Sequence, residues 1–272
     1  MTLRIPLKPA TTRLRYAHRG LHDRGSGLIE NSLPAFEAAI RGGFGIECDV
    51  RPAIDSTAMV FHDATLDRLT SQTGLITDRG PTDLCEIPLL GSRPKTTIST
   101  YTDLLAMVDG RTPLLIEVKS EWGAVDADFI RHIAAPANAY VTNVAPSRSA
   151  DAPDPIMLMS FDPAVVAALA KAAPTVPRGL VSGSYRHADG NPWWPDALDA
   201  PRAALRDLAE FEAVGASFIA YEASALPNPH VATLRAGGNP VFAWTIRSQE
   251  VWTTAREYAD VAIFEGAYGR PL

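Results

Sequence analysis

Short apolar runs alternate with longer, helix-like segments along almost the whole chain. A brief apolar run bounded by turn residues reads as a buried strand, and the segments between such runs read as helices. Eight runs fit the strand description: 14–18, 44–50, 114–119, 156–160, 178–181, 218–221, 241–245 and 261–264. Strands separated by helices imply βαβ units and a parallel sheet. Eight of them imply a closed α/β barrel, the (β/α)8 TIM barrel, in one domain spanning 1–272.

Punctuation between the runs supports this. Ser32 ahead of Leu33-Pro34 is an N-cap with an early-turn proline, and Gly42-Gly43 stop the helix that follows. Asp162-Pro163 opens a helix over 164–173, and 203–213 and 249–258 are further helices. One interval breaks the rhythm. More than sixty residues separate Val50 from Leu114, too many for one crossover. An extra strand at 58–62 and a turn-rich stretch to Gly91 precede the expected crossover helix, 102–108, so 52–98 reads as a small insertion after the second strand. A second irregular stretch, 182–201, carries Trp193-Trp194 and reads as a loop over one end.

Composition narrows the function. The 272 residues are 46% hydrophobic, enough for a sizeable core, and 21% charged. A net charge of −6 argues against nucleic acid, which needs a basic footprint. The two cysteines, Cys48 and Cys85, are too few for a disulfide scaffold. The first residues lack a signal-peptide core and no run is long enough to span a bilayer, so a cytoplasmic protein without a stable membrane anchor is expected. Nothing in the sequence specifies an oligomeric state.

Candidate chemistry clusters at strand ends. In GIECDV, Glu47 and Asp49 are two apart and share a face; in LLIEVKS, so do Glu117 and Lys119. Barrel strands carry active sites at their C-terminal ends, so these groups converge at one mouth. Three clustered carboxylates call for neutralisation. Either a hard divalent cation, Ca²⁺ or Mg²⁺, or salt bridges inside the barrel would supply it. His18 ends the first strand and His62 the extra one; each is structural on its own, but together they form a proton donor and acceptor. Arg19 and Lys119 suit an anion, or else a carboxylate of the barrel. In Glu30-Asn31-Ser32 the serine caps a helix, while Glu30 is placed to ligate the cation and Asn31 to orient a catalytic group or the metal.

The ordered set HRG (18–20), ENS (30–32), ECDV (47–50), VFHDATLDRLT (60–70) with Gly74, IEVK (116–119), the stretch 159–181 and VFAWTI (241–246) resembles the glycerophosphodiester phosphodiesterases. The resemblance runs in order over nearly the whole chain. It implies a TIM barrel with a small insertion after the second strand. It also implies that Glu47, Asp49 and Glu117 hold a Ca²⁺ or Mg²⁺ ion and that His18 and His62 are the acid–base pair. Arg19 and Lys119 would bind phosphate, Glu30 would support the metal region and Trp244 would line the pocket. The implied reaction cleaves a small glycerophosphodiester into sn-glycerol 3-phosphate and an alcohol such as choline or ethanolamine. Three features depart from the family pattern. Phe264-Glu265 stands where the family often has Thr-Asp, Ile98-Ser99-Thr100 stands where it has Pro-Thr-Leu, and the Trp193-Trp194 loop has no family position. A lysophospholipase D-type diesterase using the same groups, and a barrel that binds ligand without turnover, are the alternative readings. A Schiff base on Lys119 is weaker, because Glu117 beside it keeps the amine protonated.

Overall fold

The computed structural model describes residues 4–186, 189–191, 193 and 202–266. Ten strands run in chain order: β1 (Tyr16–Ala17), β2 (Gly45–Pro52), β3 (Ala58–Val60), β4 (Ser99–Thr100), β5 (Leu114–Val118), β6 (Ile156–Ser160), β7 (Arg178–Ser182), β8 (Phe218–Glu222), β9 (Val241–Ile246) and β10 (Val261–Phe264). The helices are α1 (Leu33–Arg41), α2 (Pro81–Glu86), α3 (Tyr101–Val108), α4 (Ala127–Val144), α5 (Pro163–Ala172), α6 (Arg202–Arg206), α7 (Pro229–Ala236) and α8 (Gln249–Tyr258). Strands β1, β2 and β5 to β10 pair in parallel, and β1 joins both β2 and β10. The sheet therefore closes into a (β/α)8 barrel with a helix between successive barrel strands.

Alternation along each strand sorts two apolar layers. In β2, Ile46, Cys48 and Val50 face the helices, and in β5 so do Leu114, Ile116 and Val118. Leu115, Met157, Met159, Val181, Phe218 and Phe242 fill the barrel instead. Glu47, Asp49 and Glu117 take the inward positions of the same two strands, where a charge is costly unless partnered.

After β2 the chain turns back. β3 pairs antiparallel with β2 and β4 with β3, which extends the sheet outside the barrel. The segment between them builds its own small core from Phe61, Leu66, Leu69, Ile76, Leu84 and Leu89, with Ile29 and Met59.

Some elements differ from expectation. The strand expected over 58–62 stops at Val60, so His62 sits beyond the ladder. The helix expected over 203–213 is short, Arg202–Arg206, and turns follow it. The longest helix among the described residues, α4, was implied by the strand–helix rhythm but not delimited. Pro136 lies inside it, yet Phe129, Ile130, Ile133, Ala137, Tyr140 and Val144 make one buried stripe, and packing outweighs the break. Trp194 and most of the 182–201 loop lie outside the described residues. Among the described residues, no helix is long and apolar enough to cross a membrane.

Candidate active site

The turn after β1 brings the first groups into place. Arg19 and Asn31 adopt left-handed backbone, as does Gly20, and the Asn31 amide donates to the Arg19 carbonyl at 2.9 Å. Gly20 has no alternative here: a Cβ on it would lie 2.9 Å from both the Ala35 carbonyl carbon and the Phe36 ring. This tight turn aims the Arg19 amide at Glu47 Oε2, 2.9 Å away.

Glu47, Asp49 and Glu117 form one cluster, with a carboxylate oxygen of each within 4.8 Å of the others. Register explains the closeness, because Asp49 and Glu117 are direct partners across β2 and β5. Asn31 holds Asp49 from both sides, donating through Nδ2 to Oδ2 at 2.8 Å and accepting the Asp49 amide through Oδ1 at 3.2 Å. Lys119 Nζ pairs with Asp49 Oδ1 at 2.7 Å and with Glu117. The Arg19 guanidinium lies 2.7 Å from Glu30 and 3.4 Å from Asp49. Glu30 therefore stands beside the cluster rather than in it, gripped by Arg19 and by Arg68 of the insertion.

Charge follows from these contacts. Burial, with Asp49 and Glu117 alongside, pushes the Glu47 carboxyl well above its ordinary value. Burial also opposes ionising Asp49, but Lys119, His62 and Arg19 outweigh it and hold the group well below its ordinary value. Burial raises Glu117 despite Lys119. Among the described residues no lysine or arginine side chain reaches Glu47. Fully ionised, the five carboxylates (Glu30, Glu47, Asp49, Asp63, Glu117) exceed the three cations (Arg19, Arg68, Lys119) by two charges. All-oxygen donors with that excess fit a hard divalent cation.

The two histidines face the same cavity and are held alike. His18 Nδ1 lies 2.6 Å from Glu265, whose carboxylate accepts two hydrogen bonds from Arg247 at 2.7 and 2.8 Å. His62 Nδ1 lies 2.7 Å from Asp63, whose carboxylate accepts from Arg68 at 2.6 and 3.0 Å. With Nδ1–H donating to a carboxylate, each ring leaves Nε2 as its remaining basic nitrogen. His18 Nε2 is 3.9 Å from Glu47. Burial, then Lys119, pulls His62 down to about 4. Burial also lowers His18, with Glu265 pulling the other way. In both rings burial favours the neutral form.

Glu265, Arg247 and Arg68 were not picked out from the sequence. Asp63 and Arg68 stand in the VFHDATLDRLT stretch beside His62 and were legible there. Glu265 was visible as a departure from the family pattern, but its partner His18 lies 247 residues away.

The cavity measures about 490 Å³, within the size range of small-molecule sites. His18, Arg19, Glu47, His62, Glu117 and Lys119 line it, and Trp244, Phe161, Trp193, Glu222 and Arg247 complete it.

A parallel eight-stranded barrel with acids, histidines, an arginine and a lysine gathered at its C-terminal mouth is a TIM-barrel protein with its candidate active site where such barrels carry theirs. Residues 18–265 match the model of the Glycerophosphoryl diester phosphodiesterase family, and the chain belongs to that family. It is 27% identical over 192 residues to a Mycobacterium tuberculosis protein named "Probable glycerophosphodiester phosphodiesterase 1", an alignment covering 63% of this chain and 65% of that relative. The chain thus spans just under two thirds of that relative's length. Among solved structures it is similar to an Oleispira antarctica phosphodiesterase in complex with the product sn-glycerol-3-phosphate, with a TM-score of 0.71, 20% identity and 94% of each chain covered. It is also similar to the Agrobacterium tumefaciens glycerophosphodiester phosphodiesterase, with a TM-score of 0.63, 20% identity and 93% of this chain and 95% of that one covered. At these identities the likeness concerns the fold.

Proposed function

We propose that this protein hydrolyses glycerophosphodiesters to sn-glycerol 3-phosphate and an alcohol, as one barrel domain with an insertion at about 52–98. The observation that carries the reading is the pair of histidines on one cavity, each tied through Nδ1 to an arginine-clamped carboxylate, beside a buried acidic cluster. Membership of the family supports it.

Glu47, Asp49 and Glu117 would hold a divalent cation, Ca²⁺ or Mg²⁺. When bound, such an ion draws charge from the phosphoryl oxygens. Arg19 and Lys119 line the cavity and present positive charge to the same oxygens, with Glu30 and Asn31 fixing Arg19 and Asp49. One histidine, neutral, takes the proton of the attacking oxygen at Nε2; the other, entering the step as imidazolium with a proton taken up at its own Nε2, delivers that proton to the leaving alkoxide. Glu265 and Asp63 hold each ring's tautomer and stabilise the imidazolium that forms. Trp244 forms part of the wall against which the substrate lies. The free thiols of Cys48 and Cys85 accord with a cytoplasmic setting.

The test is release of glycerol 3-phosphate from glycerophosphocholine by chelator-treated protein with Ca²⁺ or Mg²⁺ restored. Release that needs the metal and is lost in His18→Ala and in Glu47→Ala is the expected result. No release with either ion, or full release from either variant, would overturn the assignment.

A further inference from the structure

The cavity has two chemically different sides. On one side Glu47 of β2 and Glu117 of β5, neighbouring strands of the barrel, line it together with Lys119, which follows β5. On the far side, where β6, β7, β8 and β9 end, stand Phe161, Trp193, Glu222 and Trp244. The proton transfers above use none of these four.

The aromatic rings form a compact wall. Their centroids are 5.6 Å apart for Phe161 and Trp244, 5.9 Å for Trp193 and Trp244, and 6.2 Å for Phe161 and Trp193. Phe161 stands nearly perpendicular to both indoles, at 82° and 89°, so the rings meet as walls at an angle, and a group about 4 Å from the triangle of centroids lies within about 6 Å of all three, the reach of cation–π attraction. Tryptophan has the strongest such attraction, and the wall contains two.

Glu222 adds an anion to the wall. Its Oε2 accepts from the Ser184 amide at 2.7 Å and the Ser184 hydroxyl at 2.6 Å, and its Oε1 accepts from Ser224 at 2.7 Å. These neutral donors fix the carboxylate in place. Among the described residues no basic side chain neutralises it. Arg247, which also lines the cavity, is bound in two places to Glu265. Gly183 lets the acid and an indole meet, since a Cβ there would lie 2.8 Å from Glu222 Oε2 and 2.9 Å from Trp193 Cη2.

We infer that Phe161, Trp193, Trp244 and Glu222 form a subsite for a quaternary ammonium head, so that the preferred leaving alcohol is choline-like. The inference rests on the phosphodiesterase reading and adds the class of alcohol. A methylated ammonium is bulky and apolar at its surface yet carries a full charge. Arene faces receive its methyl groups, and one carboxylate balances the charge. A neutral polyol would instead ask for several hydrogen-bond partners from a wall that is mostly carbon.

The test compares kcat/KM for glycerophosphocholine with that for the glycerophosphodiester of 3,3-dimethylbutanol, its uncharged carbon isostere. The expected ratio is about tenfold or more in favour of the charged substrate, falling towards one in Glu222→Gln and in Trp244→Leu. A wild-type ratio near one overturns the proposal. So does a Glu222→Gln variant that slows both substrates equally, which would put Glu222 on the glycerol moiety they share. Binding of choline and of 3,3-dimethylbutanol, each followed by tryptophan fluorescence, gives an answer independent of turnover. If no diester is cleaved, the catalytic reading falls, and tighter binding of choline upholds the subsite while equal binding overturns it.

Discussion

Glu265 shows how much a single side chain sets at this mouth. It accepts from His18 Nδ1 on one side and from Arg247 on the other, and those hydrogen bonds hold its own pKa well below the carboxylate range against the pull of burial. An amide in its place can rotate to accept from His18 but carries no charge to stabilise an imidazolium. Glu265→Gln should therefore lower kcat by about 10²- to 10⁴-fold with a smaller change in KM. Glu265→Asp should recover part of the loss. Steady-state kinetics on glycerophosphocholine, with circular dichroism to confirm folding, decides it. An unchanged kcat would remove Glu265 from the positioning role. Asp63 is the counterpart on His62, and its adjacency to that histidine made the pair legible in sequence. The Glu265–His18 contact was not legible, because it depends on the barrel closing β10 onto β1.

Whole elements were legible where periodicity is simple. The β2 and β5 runs show a two-residue alternation, which by itself puts Glu47 and Asp49 on one face of their strand and Glu117 and Lys119 on one face of theirs. The bounds of α4 were hidden because Pro136 and five alanines dilute its pattern; its stripe is recognisable only against the sheet it covers. The β1–α1 turn is the element where backbone conformation decides most. Gly20 has a φ of +80° and lies against Ala35 and Phe36 of α1. Gly20→Ala should destabilise the fold by about 1–3 kcal/mol, combining a strained φ with overpacking. Urea unfolding monitored by fluorescence would measure it. A loss below about 0.5 kcal/mol would mean that α1 shifts freely and does not fix the Arg19 turn.

Across the whole molecule, the charges at the mouth balance only when taken together. If the acidic cluster holds a cation as proposed, the folded state binds it better than the unfolded chain, and binding to the folded state raises stability. Ca²⁺ or Mg²⁺ at about one hundred times its dissociation constant should add about 2.7 kcal/mol and raise Tm. Glu47→Gln should abolish the rise, and a Tm indifferent to both ions would argue that salt bridges alone neutralise the cluster. Acid should act through the clamped carboxylates. Burial opposes the ionisation of Glu30, but Arg68 and Arg19 bring it from 4.5 down to about 2, and Asp63 and Glu265 are lowered in the same sense. A lowered folded-state pKa contributes stability that is complete above the unfolded value and is lost as pH falls through the folded one. Stability should thus decline from about pH 4.5 towards pH 2, and Arg68→Ala should shrink that decline. Thermal melts across this range would check it, and equal declines in both proteins would refute the link to Arg68.

The barrel class, the insertion and the inward-facing acids followed from local properties alone: strand alternation, helix caps and the order of short motifs. Those properties depend on residues within a few positions of one another, so a linear chain displays them. The pairing of Glu265 with His18, the grip of Arg68 on Glu30, and the meeting of Phe161, Trp193, Glu222 and Trp244 on one wall did not follow from them. Each joins residues from separate strands or loops, and their distances are set by barrel closure and by strand register, neither of which any short stretch of sequence specifies.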